Sequence, residues 1–374
     1  MRIAFYAPLK PPDHTIPSGD REMARLLMRA LATAGHEVSV ATRLRSYSAD
    51  ASESSRLRIE RLAEAETRSL LTAWTGALTT CRPDLWFTYH PYYKAPDWIG
   101  PAISNRLSIP YVTAEASYAG KRDAGLWRAW QTTVVAALRM AAVNFCLTPV
   151  DREGLERISG RQGLLVDLPP FVDRAPAADR RRPHRETAVV DLIAVAMMRT
   201  GDKLESYRLL AQALKGLCDL PWRLTIVGNG PARTEVAVAF SDVPAERLVW
   251  TGALAPDQVA SRLAECDIYV WPGFGEAYGM AYLEAQAEGL PVVAQRTGGI
   301  SSVVVDRVTG WLTEPGDVAA YSNALRRVIL DHDLRRRMGQ AAQRFVRSER
   351  TLASAAGILG RTLEPLRAVT SEAL

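Results

Sequence analysis

The chain has 374 residues, 48% hydrophobic and 23% charged, which suits about two globular domains and excludes disorder as the main state. Its 46 lysines and arginines exceed its 41 acids by a net charge of +5. That mild excess fits an anionic ligand or a membrane surface and does not require nucleic acid. The best candidate for a membrane span, Val134 to Thr148, is broken by Arg139 and Asn144, so no helix is expected to cross a bilayer.

In chain order, Arg2 to Ala7 reads as a first strand and not as a signal-peptide core. Met23, Leu26, Leu27, Ala30 and Leu31 share one face of a helix over Arg21 to Ala34, which Gly35 ends. His36 to Thr42 is a strand and Glu53 to about Thr80 a long helix. Strands follow at Asp84 to Tyr89, Ile109 to Thr113 and Val143 to Thr148, with a helix over Gly125 to Ala142. This alternation predicts a parallel sheet covered by helices. The stretch Asp173 to Glu186 holds Pro176, Pro183, Arg180, Arg181, Arg182 and Arg185, and reads as a linker.

The second half restarts the alternation. Strands are expected at Val189 to Met197, Arg223 to Val227, Leu248 to Trp250, Ile268 to Trp271 and Pro291 to Ala294. Helices fall at Leu204 to Leu217, Arg233 to Phe240, Pro256 to Glu265 and Tyr278 to Glu288, with a helical tail from Val318. The fold class is therefore α/β, with two Rossmann-like domains facing a central cleft. Residues 1–175 form the first domain, 176–184 the linker and 185–349 the second domain. Cys81, Cys146, Cys218 and Cys266 show no CxxC pairing, so a disulfide framework or zinc site is not expected and a reducing cytoplasm is. Asp331-His-Asp reads as a helix boundary and not as a metal site.

Four segments carry chemistry. Pro272 to Pro291 follows a buried strand and opens a helix, with Gly273, Gly275 and Gly279 bringing backbone amides to a ligand at the helix start. Glu276 precedes that helix and Glu284 lies within it; carboxylates there suit hydrogen bonds from sugar hydroxyls. Arg199 and Lys203 sit at the end of a strand, where two cations form a diphosphate clamp. Gly228 and Gly230 end another strand and allow close approach of a nucleotide, or make an ordinary strand–helix turn. In the first half, Gly19 lies in the loop Pro17-Ser-Gly-Asp-Arg, where Ser18 or Asp20 could cap the next helix, and His90 ends a strand facing the cleft. The loops Tyr89 to Lys94 and Glu115 to Arg122 are expected on the acceptor side.

The segment from Glu276 to Glu284 resembles the E-x7-E signature of retaining, family 4 type glycosyltransferases with the GT-B fold. The likeness continues through Ala285-Gln-Ala-Glu-Gly-Leu-Pro, Thr297-Gly-Gly-Ile, Val308-Thr-Gly-Trp and Glu314-Pro-Gly-Asp. The resemblance implies that Glu276 contacts the donor sugar near its reacting centre and Glu284 the ribose. It implies that the amides of Tyr278, Gly279 and Met280 hold the diphosphate, and that Gly19 belongs to a glycine loop over it. His90 matches a family histidine near the reacting sugar. The Arg199–Lys203 pair departs from the family's Gly-Arg-Leu-x3-Lys-Gly pattern: Met198, Thr200 and Leu204 replace three positions and the separation is four residues.

Hexosyl transfer from a UDP or GDP type nucleotide-sugar donor to a sugar, lipid or small-molecule acceptor follows, with retention, no cofactor and no metal. A last helix, about 350–374, would pack back on the first domain. Glycan or glycolipid synthesis, and contact with the inner face of a membrane, are the cellular setting the resemblance implies. A GT-B-like epimerase or phosphorylase, or a sugar-nucleotide-binding protein without activity, are the alternatives.

Overall fold

The computed structural model describes residues 1–16, 18–75, 81–158, 163–174 and 189–367. The expected linker 176–184, with the arginine cluster 180–185, lies outside the described residues. The chain divides into two compact units, Met1–Pro169 with Leu352–Leu374, and Pro170–Thr351.

The first unit holds strands β1 (Arg2–Tyr6), β2 (Glu37–Val40), β3 (Leu85–Tyr89), β4 (Tyr111–Ala114), β5 (Val143–Cys146) and β6 (Leu164–Asp167). They form one parallel sheet in the order β2-β1-β3-β4-β5-β6. Burial explains the order. Every residue of β3 and β4 is buried, as central parallel strands require, whereas the edge strands β2 and β6 are partly exposed. Helices α1 (Gly19–Thr33), α2 (Glu53–Thr75), α3 (Gly100–Leu107), α4 (Arg128–Met140) and α5 (Pro149–Glu156) link the strands.

Ser18 caps α1 by accepting from the Arg21 amide at 3.2 Å. Helix α3 was not expected from the sequence. The buried Asp97 carboxylate opens it by accepting from the amides of Ile99 and Gly100, and Pro101 follows in its first turn. The same carboxylate accepts from the Tyr111 hydroxyl at 3.1 Å and the Trp86 indole at 3.2 Å, which joins α3 to β3 and β4. The last helix, here α12 (Leu352–Leu363), belongs to this unit and packs on α1, with Gly360 against Ala34.

The second unit has β7 (Val190–Val195), β8 (Trp222–Val227), β9 (Leu248–Gly252), β10 (Ile268–Val270), β11 (Val292–Gln295) and β12 (Gly310–Thr313). Its parallel sheet runs β12-β11-β10-β7-β8-β9. Around it lie α6 (Asp202–Lys215), α7 (Arg233–Ala239), α8 (Pro256–Glu265), α9 (Met280–Ala287), α10 (Val318–Leu330) and α11 (His332–Glu349). Asp331 joins α10 to α11 and caps the latter, accepting from the Leu334 amide at 2.9 Å, so the Asp-x-Asp stretch is the helix boundary expected. Among the described residues no helix is long and apolar enough to cross a membrane.

In each sheet the chain reverses its winding direction once. In the second unit the reversal lies between β7 and β10; in the first it lies between β1 and β3. Ligands of open α/β sheets bind beyond the carboxyl ends of the strands at such a switch point.

Candidate active site

The sequence places its strongest motif at the second unit's switch point. The loop after β10 carries Glu276 and the first turn of α6, which follows β7, carries Lys203, and they meet: the Lys203 ammonium bonds Glu276 Oε1. The Trp271 indole donates to the same oxygen at 3.0 Å, and Lys203 also lies 5.7 Å from the Trp271 ring centroid. Glu276 keeps only 16% side-chain exposure. The carboxylate is thus held by one cation and one neutral donor.

Three glycines shape that loop. Gly273, Gly275 and Gly279 all have positive φ. A side chain at Gly275 would strike the Asp202 carboxylate at the start of α6, and one at Gly279 would overlap the Tyr282 ring. Thr297 ties the loop from the other side by donating to the Gly273 carbonyl at 2.6 Å. Gly279 caps α9 and Met280 begins it; their amides donate to no acceptor among the described residues. Tyr278 is buried just before them. Two open amides at a helix start favour an anion.

Glu284 stands half-buried on α9, and it has a partner the sequence did not reveal. Arg174 reaches Glu284 at 3.5 Å and Glu288 at 3.6 Å, so one guanidinium bridges two carboxylates a helical turn apart. Arg199, expected to clamp a diphosphate jointly with Lys203, has an exposed side chain and does not touch Glu276. The two cations therefore differ: Lys203 orients the carboxylate, and Arg199 is open to solvent.

Gly228 and Gly230 serve the protein's own backbone. A side chain at Gly228 would collide with the Ala196 carbonyl, and one at Gly230 with the Met198 carbonyl. The two loops are laced together where they pass, Met198 donating to Asn229 and Ala232 to Met198, both at 3.0 Å. The β7 loop thus passes against both glycines, as the strand–helix turn reading expects.

The first unit's switch point gathers a different set. His90 follows β3, Asp20 lies in the first turn of α1 and Glu115 follows β4. His90 Nδ1 lies 3.4 Å from Asp20 and 3.7 Å from Glu115, within ion-pair reach but aligned for a hydrogen bond with neither. Glu115 also accepts from the Tyr89 hydroxyl at 2.8 Å. His90 and Glu115 both adopt left-handed backbone, with φ of 57° and 53°. Strain at two adjacent strand ends, both bearing ionisable groups, is characteristic of a functional site.

The charges are coupled. Burial alone would push His90 down, but Glu115 and Asp20, with Asp151 further off, outweigh it and raise the imidazole to about 9. Burial pushes Glu115 up; the nearby His90 charge pulls it back, and the balance stands at about 7. Burial also opposes ionisation of Asp20, yet His90 and Lys10 hold that carboxyl below its usual range. His90 is therefore an imidazolium at neutral pH, its Nδ1 shielded and its Nε2 reaching solvent.

Asp20 is thus a partner of His90 and not a helix cap; the cap is Ser18. Gly19 is the first residue of α1, and nothing lies within 4 Å of where its side chain would stand. It stands at the junction of the expected glycine loop and the helix. A cavity of about 890 Å³ beside Trp311, Arg307 and Arg327 shares none of the residues above.

Comparison with known proteins bears on these two clusters differently. Residues 186–345 match the family described as Glycosyl transferases group 1, and that range contains Arg199, Lys203, Glu276 and Glu284. A sulfoquinovosyl transferase of Arabidopsis thaliana is 36% identical over 124 residues, 32% of this chain and 24% of that protein. A D-inositol 3-phosphate glycosyltransferase of Streptomyces avermitilis is 27% identical over 308 residues, 75% of this chain and 65% of the relative. The chain thus spans less than two thirds of the length of either. Among solved structures, sucrose-phosphate synthase from Thermosynechococcus elongatus superposes with TM-score 0.75 at 20% identity, over 98% of this chain and 99% of the other. Anabaena HepE in complex with UDP gives 0.70 at 15%, over 98% and 100%. The fold is the GT-B arrangement of two Rossmann-like units, each with a parallel six-stranded sheet.

Proposed function

We propose that this chain is a retaining glycosyltransferase that moves a sugar from a nucleoside diphosphate sugar to an acceptor hydroxyl, the second unit holding the donor and the first the acceptor. One observation carries the reading most. Glu276 is anchored by Lys203 and Trp271 at a switch point, beside the open amides of Gly279 and Met280, inside the range that matches the glycosyl transferases group 1 family. A fixed carboxylate next to an anion-binding helix start suits a ligand with sugar hydroxyls at one end and a diphosphate at the other.

In this reading Glu276 orients the donor sugar, the amides of Tyr278, Gly279 and Met280 hold the diphosphate, and Glu284 takes the ribose. Arg199 and Lys203 stabilise charge as the nucleoside diphosphate departs. The His90 imidazolium donates from Nε2 to an oxygen near the reacting centre. Transfer proceeds on the front face, the leaving phosphate oxygen accepting the acceptor proton, and needs no added metal. A donor of UDP or GDP type is supported by the UDP bound to Anabaena HepE and by a 29% identical relative named as a GDP-mannose-dependent mannosyltransferase. The names of the relatives also support a place in glycolipid or glycan synthesis.

The test is turnover. The full chain is incubated with UDP- and GDP-sugars, and release of nucleoside diphosphate is followed with and without candidate acceptors. The reading expects at least one donor to be consumed and Glu276→Gln to lose about 100-fold or more in turnover. Consumption of none, or full activity in Glu276→Gln, would contradict it. Sugar isomerisation without an acceptor would make the chain an epimerase.

A further inference from the structure

The first unit carries a second feature beside His90. Two loops, one after β3 and one after β4, meet on an aromatic surface. Tyr93 and Trp127 stand edge to face with centroids 5.0 Å apart, and Tyr92 connects Tyr93 to the His90 ring at 5.4 and 5.2 Å. Two cations stand on this surface. The Arg122 guanidinium is 4.8 Å from the Tyr93 centroid, with a nitrogen 3.4 Å from the Tyr93 hydroxyl. The Lys94 ammonium is 5.9 Å from the same centroid and 5.8 Å from that of Trp127.

Both cationic side chains are half-buried, and neither has a carboxylate within ion-pair distance among the described residues. Arg122 Nε is shielded from water and donates to nothing. The acids nearby are engaged elsewhere: Asp123 accepts from the Tyr118 hydroxyl, and Asp20 and Glu115 face His90. Cations of similar burial in the second unit are neutralised, Lys203 by Glu276 and Arg174 by Glu284 and Glu288. Aromatic faces offset part of the cost of burying Lys94 and Arg122 but leave the charges without a counter-ion. Two partly desolvated cations on one aromatic surface, with no carboxylate partner among the described residues, suit an anion from outside.

We propose that this surface binds an acceptor carrying an anionic group, phosphate or carboxylate, on a sugar-like ring. Lys94 and Arg122 take the anion, and Tyr93 and Trp127 take the apolar face of the ring. The word acceptor rests on the glycosyltransferase reading; the binding itself does not.

Calorimetry on the full chain tests it, with glucose 6-phosphate, glucuronate and glucose as probes. The wild type is expected to bind at least one charged sugar about tenfold or more tighter than glucose, and which of the two binds separates phosphate from carboxylate. The double variant Lys94→Met, Arg122→Met should lose that preference about tenfold while its UDP affinity stays at the wild-type level, which reports an intact second unit. If the double variant loses UDP binding, each single variant carries the same comparison. Equal binding of charged and neutral sugars by the wild type, binding of none, or an unchanged preference in the variants would overturn the proposal. Donor turnover plays no part in this readout, so an inactive chain that still prefers the charged sugar would refute only the glycosyltransferase reading.

Discussion

The two switch points deliver their ionisable groups by opposite means. In the second unit, glycines take the positive φ angles and Glu276 sits between them in a loop that packs against Asp202 and Tyr282. In the first, His90 and Glu115 themselves take the left-handed backbone. Glycine adopts that conformation at little cost, whereas a residue with a side chain there must be held by its surroundings. The first site therefore depends on its neighbours: His90 needs Asp20 and Glu115 for its charge, and Glu115 needs Tyr89. The second depends on close contact between loops.

This contrast can be broken by substitution. The largest effect is expected at Glu276→Ala, with turnover falling by about 100-fold or more in a donor-consumption assay, because both the anchor for Lys203 and the proposed sugar contact go. Next comes Gly230→Ala. Its new side chain meets the Met198 carbonyl, a backbone atom that cannot turn aside, so a loss of about 2 kcal/mol is expected in denaturant unfolding. A melting curve matching the wild type would show that the β7 and β8 loops yield easily.

A third prediction concerns pH. The folded value of His90, about 9, lies above its ordinary 6.5. Its contribution to stability is thus complete below about 6.5 and disappears as pH rises through about 9. Glu115, raised from 4.5 to about 7, also lowers stability as pH rises, but does so between those two values, so the comparison belongs above neutrality. Between about pH 7 and 9.5 the wild type should lose roughly 2–4 °C more in melting temperature than His90→Gln. Glu115→Gln should move the His90 titration, followed by its ring proton resonance, to lower pH. Parallel melting profiles, or an unmoved titration, would show that the carboxylates do not set the imidazole charge. The smallest effect is Gly19→Ala. Open space and a helical position make it neutral or stabilising by up to about 1 kcal/mol; a loss of nucleotide affinity there would support a glycine loop.

How much of this was legible in the sequence follows the same contrast. The glycines around Glu276 stand close together in the chain, so local spacing revealed both loop and carboxylate. Apolar runs such as Asp84 to Tyr89 announced the central strands, and Asp331-His-Asp announced a helix boundary. The partners of each site residue were hidden because they come from far along the chain: Lys203 is 73 residues from Glu276, and Asp20 is joined to His90 across the switch point. Gly228 and Gly230 left two readings open for a related reason. A strand-end glycine pair looks alike whether the close neighbour is a ligand or another loop. Helix α3 was missed because its start signal is a buried carboxylate, which looks like any loop Asp until Trp86 and Tyr111 are seen around it.

In the proposed function donor recognition belongs to the second unit. Calorimetric titration of UDP and GDP into the wild type, Lys203→Met and His90→Gln tests it most directly. One nucleotide is expected to bind the wild type, Lys203→Met to weaken it about tenfold or more, and His90→Gln to leave it within about twofold. A nucleotide whose affinity falls with His90 and is indifferent to Lys203, or the absence of binding to the wild type, would contradict it.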